Sequence, residues 1–182
     1  MEQAAQPWQS CGLAASRQQY RHWRSPADVN VEDVMPAYYK CFVTNKSKYD
    51  LRPISAKAEQ WGAFHIKDPW KRNFDIDPPD LISAGYKPHA NTPTFSASAT
   101  DLDGISTYVT YQLMSGDRSL GPRNTIIIEG HAQSDALSPA HGDTRLGFAK
   151  EYVKSEDAIS PQRGHDITHW STITDNPANI HD

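Results

Sequence analysis

The chain has 182 residues, a formal net charge of −4, 10 Gly, 13 Pro and two cysteines. Its hydrophobic share is 37%, and Leu, Ile, Val and Phe together supply only about 17%, against the roughly 45–50% and 20% expected of a chain that builds its own core. The 10% aromatics and small net charge equally exclude the strongly charged, aromatic-poor composition of a free disordered chain.

A sequence pI of about 6.0 and a mean hydropathy of −0.69 argue against a nucleic-acid binder, which would carry a denser basic face. Charge is divided along the chain. Residues 40–72 hold eight Lys/Arg against Asp50, Glu59 and Asp68, whereas residues 129–182 hold four against nine Asp/Glu. Cys11 and Cys41 form no CxxC pair, so reduced intracellular thiols are the expectation. The N-terminal stretch lacks the apolar run of a signal peptide, and Gly, Pro and charged residues interrupt every segment long enough to span a bilayer.

Taken in order, the residues predict short elements joined by turns. Leu13, Tyr20 and Trp23 recur at helical spacing over Leu13–Arg24, and Ser25-Pro26 closes that segment. A single turn from Asn30 ends at Pro36. The stretch PISAKAEQWG, residues 53–62, reads as two further helical turns with Ser55 as cap and Gly62 as exit. From Trp61 to Pro93, aromatics alternate irregularly with Pro, Asp and Gly, fitting neither period, which predicts extended chain. Ile105–Leu113 and Asn124–Glu129 are strand-like and are expected to form one hairpin across MSGDRSLGPR. A short helix over Thr144–Lys154, with Leu146, Ala149 and Val153 on one face, then precedes a polar tail.

The fold class expected is therefore a mostly irregular, extended chain with a few short helices, one β-hairpin and little independent core. Four stretches follow: 1–53 with short helices, 54–104 extended and rich in Pro and aromatics, 105–130 as the hairpin, and 131–182 as an acidic, His-containing tail.

Several constellations bear on chemistry. His165 and His169 in HDITHW would share a helical face, as two metal-binding imidazoles do, but no Glu or Cys completes a set. Asp101 and Asp103 open like a calcium loop, yet the strand-like residues from Ile105 replace the later ligands. Asp75, Asp77 and Asp80 in DIDPPD start turns. No phosphate-binding glycine loop or nucleophile motif occurs, so no catalytic residue, metal or cofactor is expected. The sequon at Asn45 is expected to stay unmodified. Ser-Pro recurs at Ser25, Ser138 and Ser160, where proline-directed kinases would act.

Aromatics are the remaining signal. Spread among prolines and charges, they suit anchors that seat one ring per pocket in a partner, and the residues assigned to partner binding are Trp23, Trp61, Phe64, Trp70, Phe74, Tyr108, Tyr111 and Trp170. In WGAFHIKDPWKRNF, STYVTYQLMSGDRSLGPRNTI and HWSTITDNP the chain resembles the microtubule inner proteins of ciliary and flagellar doublets. That resemblance implies an extended structural protein of the axonemal cytoskeleton, binding tubulin and neighbouring axonemal proteins, with no catalysis, no cofactor, no nucleic acid and no membrane. The alternative expectation is a soluble intracellular adaptor using its aromatic and Ser-Pro segments.

Overall fold

In the nine-residue strand β1, Ala37–Asn45, burial alternates without exception: Ala37, Tyr39, Cys41, Val43 and Asn45 point inward, and Tyr38, Lys40, Phe42 and Thr44 point outward. Such alternation is the mark of a strand with one face in a core. The computed structural model describes residues 36–62, 70–72, 74–99, 103–133 and 139–179. Among these, strands follow β1 at Asp50–Gly62 (β2), Trp70–Arg72 (β3), Phe95–Ala99 (β4), Asp103–Ser115 (β5), Arg118–Ser119 (β6), Thr125–Ala132 (β7), His141–Arg145 (β8), Val153–Ser160 (β9) and Asp166–Asp175 (β10). Helical structure among the described residues is confined to two 3₁₀ turns, Gly147–Glu151 and Pro177–Asn179.

Two sheets result, ordered β4-β1-β10-β9 and β3-β2-β5-β7-β8, with β6 added beside β5. They face each other across one core. Tyr39, Phe95, Ile167 and Ile173 come from the four-stranded sheet, and Leu51, Ile105, Val109, Tyr111, Leu113, Ile126 and Ile128 from the larger one. At the heart of the smaller sheet β1 runs parallel to β10, Tyr38 opposite Asp166 through Asn45 opposite Ile173. Every other neighbouring pair is antiparallel.

This overturns the expectation of a mostly irregular chain with short helices and little core. The low apolar share is sufficient because each strand of a two-layer sandwich buries only alternate residues, and because Tyr39, Tyr111, His169 and Thr107 occupy inward positions that residue counting assigns to solvent. The helical turns expected at residues 53–62 are β2, paired with β5 from Asp50 opposite Met114 to Gly62 opposite Asp103. The helix-forming preference of Ala, Lys, Glu and Gln is a few tenths of a kcal/mol per residue at most, and a full ladder outweighs it. The helix expected over Thr144–Lys154 is instead the end of β8, a 3₁₀ turn and the start of β9, and the polar tail supplies β9 and β10. The strands expected at Ile105–Leu113 and Asn124–Glu129 are β5 and β7, neighbours within the larger sheet instead of a lone hairpin. The helices read over Leu13–Arg24 and after Asn30 lie outside the described residues.

Close approach of the sheets depends on Gly130 in β7. A Cβ there would stand 2.1 Å from the ring of Tyr39, so only a hydrogen leaves space for it. We expect Gly130→Ala to cost about 3 kcal/mol in urea unfolding, the upper end of overpacking penalties. Gly116, in the β5–β6 turn at φ +58° with open space around it, should cost about 1 kcal/mol when changed to Ala, from backbone strain alone.

Candidate binding face

The outward residues of β1 and β10 lie side by side because the two strands are parallel and in register. Phe42 stands opposite Trp170, Thr44 opposite Thr172 and Lys40 opposite Thr168. The Phe42 and Trp170 rings stack with centroids 6.3 Å apart and planes 21° from parallel, while Trp170 stays 43% exposed. An aromatic pair held so open on a rigid sheet offers apolar area with little conformational cost on binding. One end of the row is neutralised, since Lys40 Nζ donates to Asp166 at 2.9 Å.

The other end is built by a loop. Asn45 is fully buried, and its amide donates to the carbonyls of Tyr49, Ile82 and Ser83 at 2.8, 3.3 and 3.1 Å, while its Oδ1 accepts from the amide and hydroxyl of Ser47. Asn45 N–H also reaches the carbonyl of Tyr86 at 2.9 Å. Thr94 completes the attachment, with its amide on the Cys41 carbonyl and its hydroxyl accepting from Val43 N–H. The sequon asparagine is thus the bracket that fixes the loop. As a result Lys87, Pro88, His89 and Ala90 line a groove of about 380 Å³ together with Phe42, Thr44, Lys46, Trp170 and Thr172. Lys46 and Lys87 are exposed, and neither forms an ion pair with any described residue. The groove therefore joins an aromatic floor to cationic rims that no described residue neutralises.

Directly behind this face runs a buried polar chain. His169, on the inward side of β10, points Nε2 at Asp157 Oδ1 of β9, 2.7 Å away, and Nδ1 at the Tyr39 hydroxyl, 2.6 Å away. The carboxylate accepts the Nε2 proton, so in the neutral ring Nδ1 accepts from Tyr39. Asp157 also accepts from the amide and hydroxyl of Thr144, and that hydroxyl meets Ser171 at 2.7 Å. Burial pushes the Tyr39 hydroxyl well above its ordinary value and raises the Cys41 thiol likewise. Burial also pushes the Asp157 carboxyl upward, but hydrogen bonds from His169 and Thr144 outweigh it and hold the group below the ordinary range. A Tyr–His–Asp chain has the makings of a proton relay. Here its His and Tyr have no exposed surface, and the chain ties β1, β8, β9 and β10 together.

The residues assigned to partner binding from sequence fall in several places. Trp23 and Phe64 lie outside the described residues. Trp61 and Trp70 belong to β2 and β3. Phe74 packs edge-on against Phe95, centroids 5.9 Å apart, and Tyr111 is wholly buried, because odd-numbered residues of β5 face the core. Tyr108, on the opposite parity, is 43% exposed on the far side of the larger sheet. Of the members whose side chains are described, only Trp170 sits in the groove. Sequence reasoning missed Phe42, Lys46, Lys87 and His89; the alternation in AYYKCFVTN marked Phe42 as outward, but nothing local placed it beside Trp170. The His165/His169 pair is not a shared ligand set: four residues along an extended chain span about 13 Å, and His169 is committed to Tyr39 and Asp157. In comparison with known proteins, no family model matches the chain and no curated protein matches it.

Two outcomes check this architecture. Asn45→Ala should cost about 3 kcal/mol by chemical unfolding, since it leaves several buried groups unpaired. The depressed Asp157 carboxyl contributes stability that is complete above its ordinary value of about 3.9 and is lost as pH falls through the lower folded value. Acid titration of stability should therefore show a steep loss below about pH 4 in the wild type. Asp157→Asn should be about 2 kcal/mol less stable at neutral pH and flatter in the acid limb.

Proposed function

We propose that the protein is a prefolded, non-catalytic binding module that engages an acidic partner surface through the Phe42–Trp170 groove. The observation that supports this most is the stacked, half-open aromatic pair flanked by Lys46 and Lys87, to which no described acidic residue is paired. An open aromatic supplies affinity, and unneutralised rim cations supply steering and selectivity for negative charge. In this reading the domain brings its own fold to the partner, and the cost of ordering a chain on binding is not incurred.

As the particular partner we propose the surface implied by the sequence resemblance: a microtubule lattice of the ciliary or flagellar axoneme, with tubulin and neighbouring axonemal proteins as contacts and stabilisation of the lattice as the role. A soluble adaptor role would use the same groove on a dispersed acidic partner.

Co-sedimentation with assembled microtubules tests both levels. Wild-type protein should pellet with the polymer, Trp170→Ala should weaken pelleting roughly tenfold or more, and the Lys46→Glu/Lys87→Glu double variant should weaken it and reduce its salt dependence. All three should unfold at similar temperatures, because the changed residues lie outside the core. Failure of the wild type to pellet, combined with groove-dependent retention on a polyglutamate matrix, would remove the microtubule and keep the acidic partner. Variants that behave as wild type in both assays would overturn the groove itself.

A further inference from the structure

At the opposite side of the molecule, on the outward face of the larger sheet, His131 of β7 and His141 of β8 stand directly across the ladder from one another. Their rings stack with centroids 4.7 Å apart and planes 20° from parallel. Strand β8 is five residues long and is the last of its sheet among the described strands, its ladder formed with β7 alone. Yet it seals the corner between the sheets. Thr144 sends its amide and hydroxyl to Asp157 of β9, Ser155 of β9 donates to the Thr144 carbonyl at 3.3 Å, and Gly142 lies so close to His169 that a Cβ would meet the ring at 2.8 Å. Whatever loosens β8 uncovers the edge of β7 and the Tyr39–His169–Asp157 chain together.

We propose that the His131–His141 pair is an acid-operated latch on β8: stacked and carrying at most one proton it holds the edge strand closed, and doubly protonated it releases the strand. The surrounding charges decide how many protons the closed pair tolerates. On β7, Glu129 lies 3.5 Å from His141 Nε2 and is already paired with Arg145 of β8, whose Nε is in turn held by Asp143 at 3.2 Å. On β5, Ser106 stands opposite His131 and Tyr108 opposite Glu129, and further out on β2 Lys57 and Glu59 neutralise each other. Glu129 and Asp143 carry two negative charges and Arg145 returns one positive, so a first imidazolium balances the patch. A second overcharges it, face to face with the first and, among the described residues, with no uncommitted carboxylate in reach.

Titration follows the same direction. Burial, and then the neighbouring His141, hold His131 below its ordinary value, against the opposing pull of Glu129. A base whose closed-state value is depressed takes up its proton more readily when the strand is open. Acidification below about pH 6.5, the ordinary imidazole value, therefore favours opening until the closed-state value is passed, and stability of the closed edge is complete only above that range. This window lies above the one in which Asp157 titrates, so the two acid effects separate on the pH axis.

The test is NMR on the full chain, following the two imidazoles and the exchange of β8 amides, corrected for intrinsic rates, between pH 7.5 and 5. We expect Asp143 and Thr144 amides to open progressively more often as pH falls, with a slope approaching about tenfold per pH unit, the signature of one proton taken up on opening. Amides of β5 should stay protected throughout. In His141→Gln the β8 slope should become clearly shallower, because only burial then holds His131 down, and His131 should titrate closer to its ordinary value. An unchanged slope in that variant, an ordinary titration of His131 in the wild type, or simultaneous loss of protection in β5 and β8 would each overturn the latch. Asp157→Asn serves as the control for corner sealing: it should raise β8 opening at every pH while leaving the slope in place.

Discussion

The hydrogen bond between Tyr39 and His169 joins residues 130 positions apart and fixes much else in the molecule. For it to form, β1 must lie against β10 in parallel register, with both residues on the inward parity. The same register that brings Tyr39 to His169 inside places Phe42 beside Trp170 outside. The interior polar chain and the exterior aromatic pair are two faces of one pairing. Removing either ring nitrogen's partner would leave a buried polar atom unpaired, which costs more than the bond itself contributes.

Glycine and asparagine extend this constraint outward. Gly130 and Gly142 leave space for the Tyr39 and His169 rings, which lets the two sheets close over a chain of polar groups instead of a purely apolar layer. Asn45 ends β1 and spends its side chain on the carbonyls of the loop that carries Lys87 and His89. The groove therefore inherits its rigidity from the core. A groove on so firm a base would need little reorganisation to accept a ligand.

The two titrating regions stand at different distances from solvent. Asp157 sits at the rim of the core with its charge met by His169 and Thr144, so it strengthens the fold when ionised. His131 and His141 face each other across the outer side of the β7–β8 ladder, where burial, and then the neighbouring His141, oppose ionisation of His131. Both converge on β8, one through Thr144 and the other through the β7 ladder. The two groups with depressed values thus meet around the corner formed by β8 and β9.

Alternation in ISTYVTYQ and the β-branched run in NTIIIE were readable as strand because β-branched and aromatic residues crowd those segments. The outward parity of Phe42 was also present in AYYKCFVTN. The sequence alone could not give the partners of these strands, since a parallel pairing across about 130 residues leaves no local mark and helix-like composition at residues 53–62 carries too little energy to resist a ladder. Nor could it separate Tyr111 from Tyr108 as core and surface, because aromatics populate both parities of β5. Residue counts fixed how much apolar area the chain owns; only the stacking of two sheets decided that half of each strand was enough to make a core, and which aromatics remained exposed.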